Sequence, residues 1–121
     1  MLDALLLDLD GESDLTATTV GSWHNISGVT EGSYDVFFPS AFTGTGTPAV
    51  VVKLDFSDDA STVKENQESP SIEAGEDHYF MRFAPRRKYV RATFTVTGTT
   101  PNLGAVVAGI SKGSHRLSRA G

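Results

Sequence analysis

The stretch Lys88 to Gly98, KYVRATFTVTG, decides the fold class. Its residues alternate strictly, with Val90, Ala92, Phe94 and Val96 on one side and Arg91, Thr93, Thr95 and Thr97 on the other. Period-two alternation enriched in threonine and aromatics is the pattern of a strand covered on one face and solvated on the other. Turn residues follow from Thr99 to Gly104, including Pro101 and Asn102, and then a second apolar run from Ala105 to Ile110. The local reading is a hairpin of two antiparallel strands.

The same rhythm recurs upstream. Apolar alternation and turn punctuation predict strands over Leu2 to Leu9, Thr18 to Ile26, Ser33 to Phe38, Ala49 to Phe56, His78 to Phe83, Lys88 to Gly98 and Gly104 to Ser111, with a short extra strand near Ser71 and Ile72. In the run from Ala49 to Phe56, Val50, Val52, Leu54 and Phe56 share one face and Val51, Lys53 and Asp55 the other. Between strands lie Gly28 to Gly32, the small-residue loop Pro39 to Pro48, the polar loop Ser57 to Pro70, and Ala84-Pro85. No amphipathic helical stretch interrupts them. The expected fold is all-β, an antiparallel β-sandwich of about seven to eight strands. Trp23, Phe37, Phe42, Phe80, Phe83 and Phe94 are expected in the core or at its rim.

A length of 121 residues suits one domain, read as residues 1–121, with 1–9 as an N-terminal arm or first strand and 112–121 as a basic tail. There is no cysteine, so disulfides and thiolate metal sites are excluded. The start, MLDALLLDLD, lacks the basic region of a signal peptide and the length of a membrane span, so folding in a cytoplasm with no membrane partner is expected. Charge is divided along the chain. All fifteen acidic residues lie between Asp3 and Asp77, opposed there only by Lys53 and Lys64, whereas the chain from His78 onward carries eight lysines and arginines and no acid. If early and late strands interleave, these charges mix on one surface; if not, the molecule has an acidic and a basic patch suited to head-to-tail contact. Nucleic acid is not an expected partner, because the acidic part repels phosphate.

Patterns that resemble catalytic motifs fail their structural context. Gly109-Ile110-Ser111-Lys112-Gly113 fits G-x-S-x-G, but no acid follows and no helix is expected after it. Ser61 and Lys64 fit S-x-x-K inside a polar loop, and Gly44 to Ala49 fits G-x-G-x-x-A ahead of a strand rather than a helix. His24, His78 and His115 lack paired ligand spacing, so no metal or cofactor is expected from them. Asp8, Asp10, Glu12 and Asp14 alternate around Gly11 without the closing bidentate acid of a calcium loop, and read as a solvated acidic turn. The chain is not expected to be an enzyme. Arg82, Arg86, Arg87, Lys88 and Arg91 surround the Ala84-Pro85 corner, a place where arginine forks could grip carboxylates of a partner.

The run Arg87 to Ile110, RKYVRATFTVTGTTPNLGAVVAGI, together with the leucine-rich opening MLDALL, resembles the small capsid cement, or decoration, proteins of tailed phages, the family typified by that of a Bordetella phage. The resemblance covers about a quarter of the chain in motif. It implies a jelly-roll order of strands and a structural role: binding the outside of the major capsid shell across subunit joints and stabilising it, with the major capsid protein and further copies of the chain as partners, in a homodimer or homotrimer. The implied location is the virion surface after synthesis in the host cytoplasm. Candidate interface residues are Leu2, Leu5 and Leu7 in the arm, Arg82, Arg86, Arg87, Lys88 and Arg91 at the corner, and Arg116 and Arg119 in the tail. The alternatives are a carbohydrate-binding sandwich using Trp23, Tyr34, Tyr79 or Tyr89 as stacking surfaces, and another phage head or tail component.

Overall fold

The computed structural model describes residues 7–26, 32–39, 41–73, 78–83 and 87–112. These form nine strands and, among the described residues, no helix: β1 (Leu7–Asp10), β2 (Thr19–Val20), β3 (His24–Asn25), β4 (Gly32–Phe37), β5 (Ala49–Ser57), β6 (Val63–Glu68), β7 (His78–Phe83), β8 (Tyr89–Thr97) and β9 (Val107–Lys112). One sheet has the order β1-β9-β4-β7; in the other, β2 and β3 both pair with β8, which is followed by β5 and β6. Every pairing is antiparallel. The chain is an antiparallel β-sandwich.

Taking β2 and β3 as one interrupted strand gives a simple rule. The first strand pairs with the last, the second with the one before it, and so on inward: β1 with β9, β2 and β3 with β8, β4 with β7, β5 with β6. The β4–β9 and β5–β8 contacts then join these pairs into the two sheets. That wrapped pairing is the jelly-roll order. It contradicts the hairpin reading of β8 and β9, which lie in different sheets. The connection between them crosses the end of the sandwich, pinned by Leu103 N to Leu15 O at 2.9 Å, Leu15 N to Gly104 O at 2.8 Å and the Thr43–Asn102 bridge. The physical reason is burial: as opposite layers, β8 and β9 cover each other's apolar faces, with Val90, Ala92 and Phe94 from one and Ala108 and Ile110 from the other in a single core.

The alternation in β8 and β5 holds as read, since Val50, Val52, Leu54, Phe56, Val90, Ala92 and Phe94 are all buried. Of the other aromatics, Phe83 is buried, Phe42 packs against the core, and Trp23 and Phe37 are half-buried; the Phe80 side chain lies outside the described ones. Ile72 bridges Val50, where a short extra strand was expected. Most strand ends shift by one to three residues from expectation, β9 beginning at Val107 rather than Gly104, and two differences are larger. The run Thr18 to Ile26 is broken at Gly21–Trp23, and β6 occupies what reads as the polar loop Ser57 to Pro70. β6 is an edge strand whose Lys64 and Glu68 are exposed, and such charges are how a sheet edge avoids pairing with another chain. The polarity that hides β6 in the sequence is a property of its position.

At the end where β8 leaves its sheet, the loop containing Gly44 and Gly46 lies against Thr99 and Thr100. Gly44 has φ +115°, and a Cβ there would stand 1.9 Å from the Thr100 carbonyl oxygen. Gly44→Ala is therefore expected to cost about 1–3 kcal/mol from backbone strain alone, read as a lower urea midpoint. An unchanged midpoint would mean that this loop can rearrange freely.

Candidate functional site

The two long sides of the sandwich are closed differently, and one of them concentrates polar chemistry. On the β6–β7 side Gln67 Nε2 reaches across the layers and donates to the Arg82 carbonyl at 3.0 Å. On the β1 side the closure is made by Asp8. The register of β1 on β9 slips between Leu7 and Leu9, leaving Asp8 as the extra residue of a bulge. A bulge re-aims a side chain that simple alternation would place elsewhere. Here it lets Asp8 turn inward while Leu9 still packs against the core.

The Asp8 carboxylate is 1% exposed and accepts three hydrogen bonds. His24 Nε2 and the Ser22 backbone N–H donate to Oδ1 at 2.9 and 3.2 Å, and the Tyr34 hydroxyl donates to Oδ2 at 2.5 Å. His24 must carry its proton on Nε2 to serve an acceptor-only carboxylate. Tyr34 comes from β4 of the same sheet as Asp8, whereas Ser22 and His24 belong to the broken β2–β3 strand of the other. Asp8 therefore latches the two layers together. Gly21 leaves room for the carboxylate, since a Cβ there would lie 2.7 Å from the Asp8 carboxyl. This corrects the solvated-turn reading: Asp10, Glu12 and Asp14 are exposed, but Asp8 is a buried structural acid.

Burial holds the Tyr34 phenol well above its ordinary pKa of 10, reinforced by the Asp8 charge and by the hydrogen bond to it. The folded state thus keeps this proton after the unfolded chain has released it. The corresponding stability is complete below about pH 10 and is lost as the pH rises toward the folded value, at about 1.4 kcal/mol per pH unit. Urea midpoints measured from pH 9 to 11 should fall more steeply for the native chain than for Tyr34→Phe; equal slopes would show that the phenol is not coupled to folding.

The arginine corner is largely occupied within the chain. Arg87 donates from Nε to Glu65 and from Nη1 to Asp58, both at 2.9 Å. Arg91 donates to Asp55 at 3.2 Å and lies 4.5 Å from the centre of the Trp23 ring, while Lys53 stands 3.8 Å from the same carboxylate. The Asp55 side chain is 4% exposed and is neutralised by these cations. Early acids and late bases do interleave here, because β8 sits between β5 and the β2–β3 strand. Arg82 and Lys88 remain exposed. Leu7 is half-buried on β1, so the end of the leucine-rich start belongs to its own sheet. Leu2, Leu5, Arg86, Arg116 and Arg119 lie outside the described residues.

Beside β1 lies an open cleft of about 470 Å³, lined by Leu7, Asp8, Leu9, Asp10, Ser13 and Val106. Sequence pattern encodes neither the latch nor the cleft; its one signal is a carboxylate set between leucines, Leu7-Asp8-Leu9. Among the described residues, no group of three or more histidine or acidic side chains is placed to hold a metal ion, and no helix is long and apolar enough to cross a membrane. No protein-family model matches the chain, and no curated protein matches it.

Proposed function

We propose that the protein is a capsid cement protein that binds the outside of a phage head shell across the joints between major capsid subunits. The observation that carries this reading is the strand order, a jelly roll of the kind that the family resemblance implies. Buried carboxylates are spent on the domain's own cohesion: Asp8 on the latch, Asp55 on Arg91 and Lys53. The aromatic alternative has less to work with, since Tyr34 is 1% exposed and Arg91 already covers Trp23.

The role would be mechanical. A domain that binds only the assembled, expanded shell lowers the free energy of that state in proportion to its affinity, and many symmetric copies multiply a modest contact. Among the described corner residues, the exposed Arg82 and Lys88 are the cations placed to meet acidic groups on the shell. Co-sedimentation with expanded shells of the cognate major capsid protein tests the reading. Saturable binding at a fixed copy number, with a raised shell melting temperature and weakened by Arg82→Glu with Lys88→Glu, is the expected result. Absence of saturable binding by the native chain overturns it.

A further inference from the structure

The two layers present different outer faces. On β4, Tyr34 and Val36 point into the core, and the outward Ser33 and Asp35 are nevertheless 2% and 0% exposed, so the outer face of the four-stranded sheet is closed at its centre. The outer face of the five-stranded sheet is open. Along β8, Tyr89, Arg91, Thr93 and Thr95 alternate with Val90, Ala92 and Phe94 of the core, and none of the four is buried. Lys53 and Asp55 lie beside them on β5, opposite Thr93 and Arg91 in register. Together β3, β5 and β8 carry Lys53 and Arg91 against one acid, Asp55, while Glu68 stands at the edge of the face on β6.

Trp23, Arg91 and Tyr89 gather on this face. The Arg91 guanidinium lies 4.5 Å from the centre of the Trp23 ring, and Tyr89 stands two residues from Arg91 on the same side of β8, roughly 6.5 Å along the strand. Tryptophan, tyrosine and arginine are enriched among the few residues that carry most of the energy of a protein interface. Their polar handles are unspent here. Among the described residues, the Trp23 indole N–H and the Tyr89 hydroxyl have no hydrogen-bond partner, and Arg91 makes one bond, from Nη2 to Asp55 at 3.2 Å, with its buried Nε unpaired. Half-buried donors of this kind gain most from an acceptor that a partner brings.

We propose that this face is the one laid against the shell, and that the Trp23–Arg91–Tyr89 cluster takes a carboxylate side chain of the shell surface. The inference rests on the shell reading and names the face and the contact which that reading leaves open. Stacking on Trp23 fixes the plane of the guanidinium and the bond to Asp55 fixes its rotation, so little side-chain freedom is lost on docking. The incoming carboxylate accepts from Arg91 Nη1 in a charge-assisted bond, with the indole N–H and the phenolic hydroxyl as neighbouring donors. Because Arg91 covers the ring of Trp23, the cluster suits a carboxylate rather than the apolar face of a sugar. Lys88, the residue before Tyr89, is exposed and continues the positive surface toward the corner.

Co-sedimentation of variants of the full chain with expanded shells of the cognate major capsid protein tests it. Trp23→Ala removes the stack, and Thr93→Glu sets an acid on the same face without removing a described hydrogen bond. Each should raise the apparent dissociation constant on the order of ten-fold or more, whereas Ser13→Glu, exposed in the turn after β1, should bind as the native chain does. Native binding that Thr93→Glu leaves undiminished, or that Ser13→Glu weakens equally, overturns the choice of face and leaves the shell reading standing. A native chain that does not bind overturns both. Circular dichroism of each variant separates lost docking from lost fold, and Thr93→Glu carries the test if Trp23→Ala fails to fold.

Discussion

Asp8→Ala is expected to lower the free energy of unfolding by about 3–5 kcal/mol, the usual cost of removing one partner from a buried charged network. Three donors lose their acceptor at once: the Tyr34 hydroxyl, His24 Nε2 and the Ser22 amide. Tyr34 is 1% exposed and an orphaned buried hydroxyl alone costs about 1–3 kcal/mol. The damage should be cooperative rather than local, since Asp8 joins the edge of one sheet to the broken strand of the other. Asp10→Ala, two residues along the same strand and exposed, is the control and should stay within about 0.5 kcal/mol. Urea denaturation of both variants checks the contrast. If Asp8→Ala lost less than about 1 kcal/mol, the latch would not be what holds the β1 side closed.

Phe94→Ala should be comparably severe, at about 3–5 kcal/mol. Phe94 is 1% exposed on the inner face of β8, and its ring lies 6.0 Å from that of Tyr34 at an interplanar angle of 49°. Truncation removes buried apolar area, leaves a cavity between the layers, and forfeits an aromatic contact worth about 0.5–1.5 kcal/mol beyond its area. Thr95→Ala, the next residue but outward and exposed, should be nearly neutral. Because Tyr34 touches both Phe94 and Asp8, the double variant Asp8→Ala with Phe94→Ala should be less destabilised than the sum of the two. Strict additivity in a double-mutant cycle would mean that Tyr34 does not couple the latch to the core.

These two positions also mark what a linear reading can reach. Phe94 was legible because its burial follows from local alternation, a property of consecutive side chains on one strand. Asp8 was not, since its burial depends on a one-residue slip against β9, a partner about a hundred residues away, and on donors from two other strands. β6 escaped for a related reason: an edge strand carries charged residues to protect its edge, which gives it the composition of a loop. The corner arginines were visible as a cluster, but their partners Asp58, Glu65 and Asp55 came into view only when β8 was placed next to β5.

By itself, the sequence determined the all-β class, the inward faces of β5 and β8, and the absence of cysteine chemistry. These are encoded by period, turn residues and composition, all of which act over a few neighbouring residues. Tertiary structure alone decided that β8 and β9 lie in opposite sheets, that Asp8 closes one side of the sandwich, and that a cleft opens along β1. Each of these depends on which distant strands meet and in what register. That choice is made by burying apolar faces against each other and by satisfying the polar groups trapped between them, and neither requirement acts between sequence neighbours.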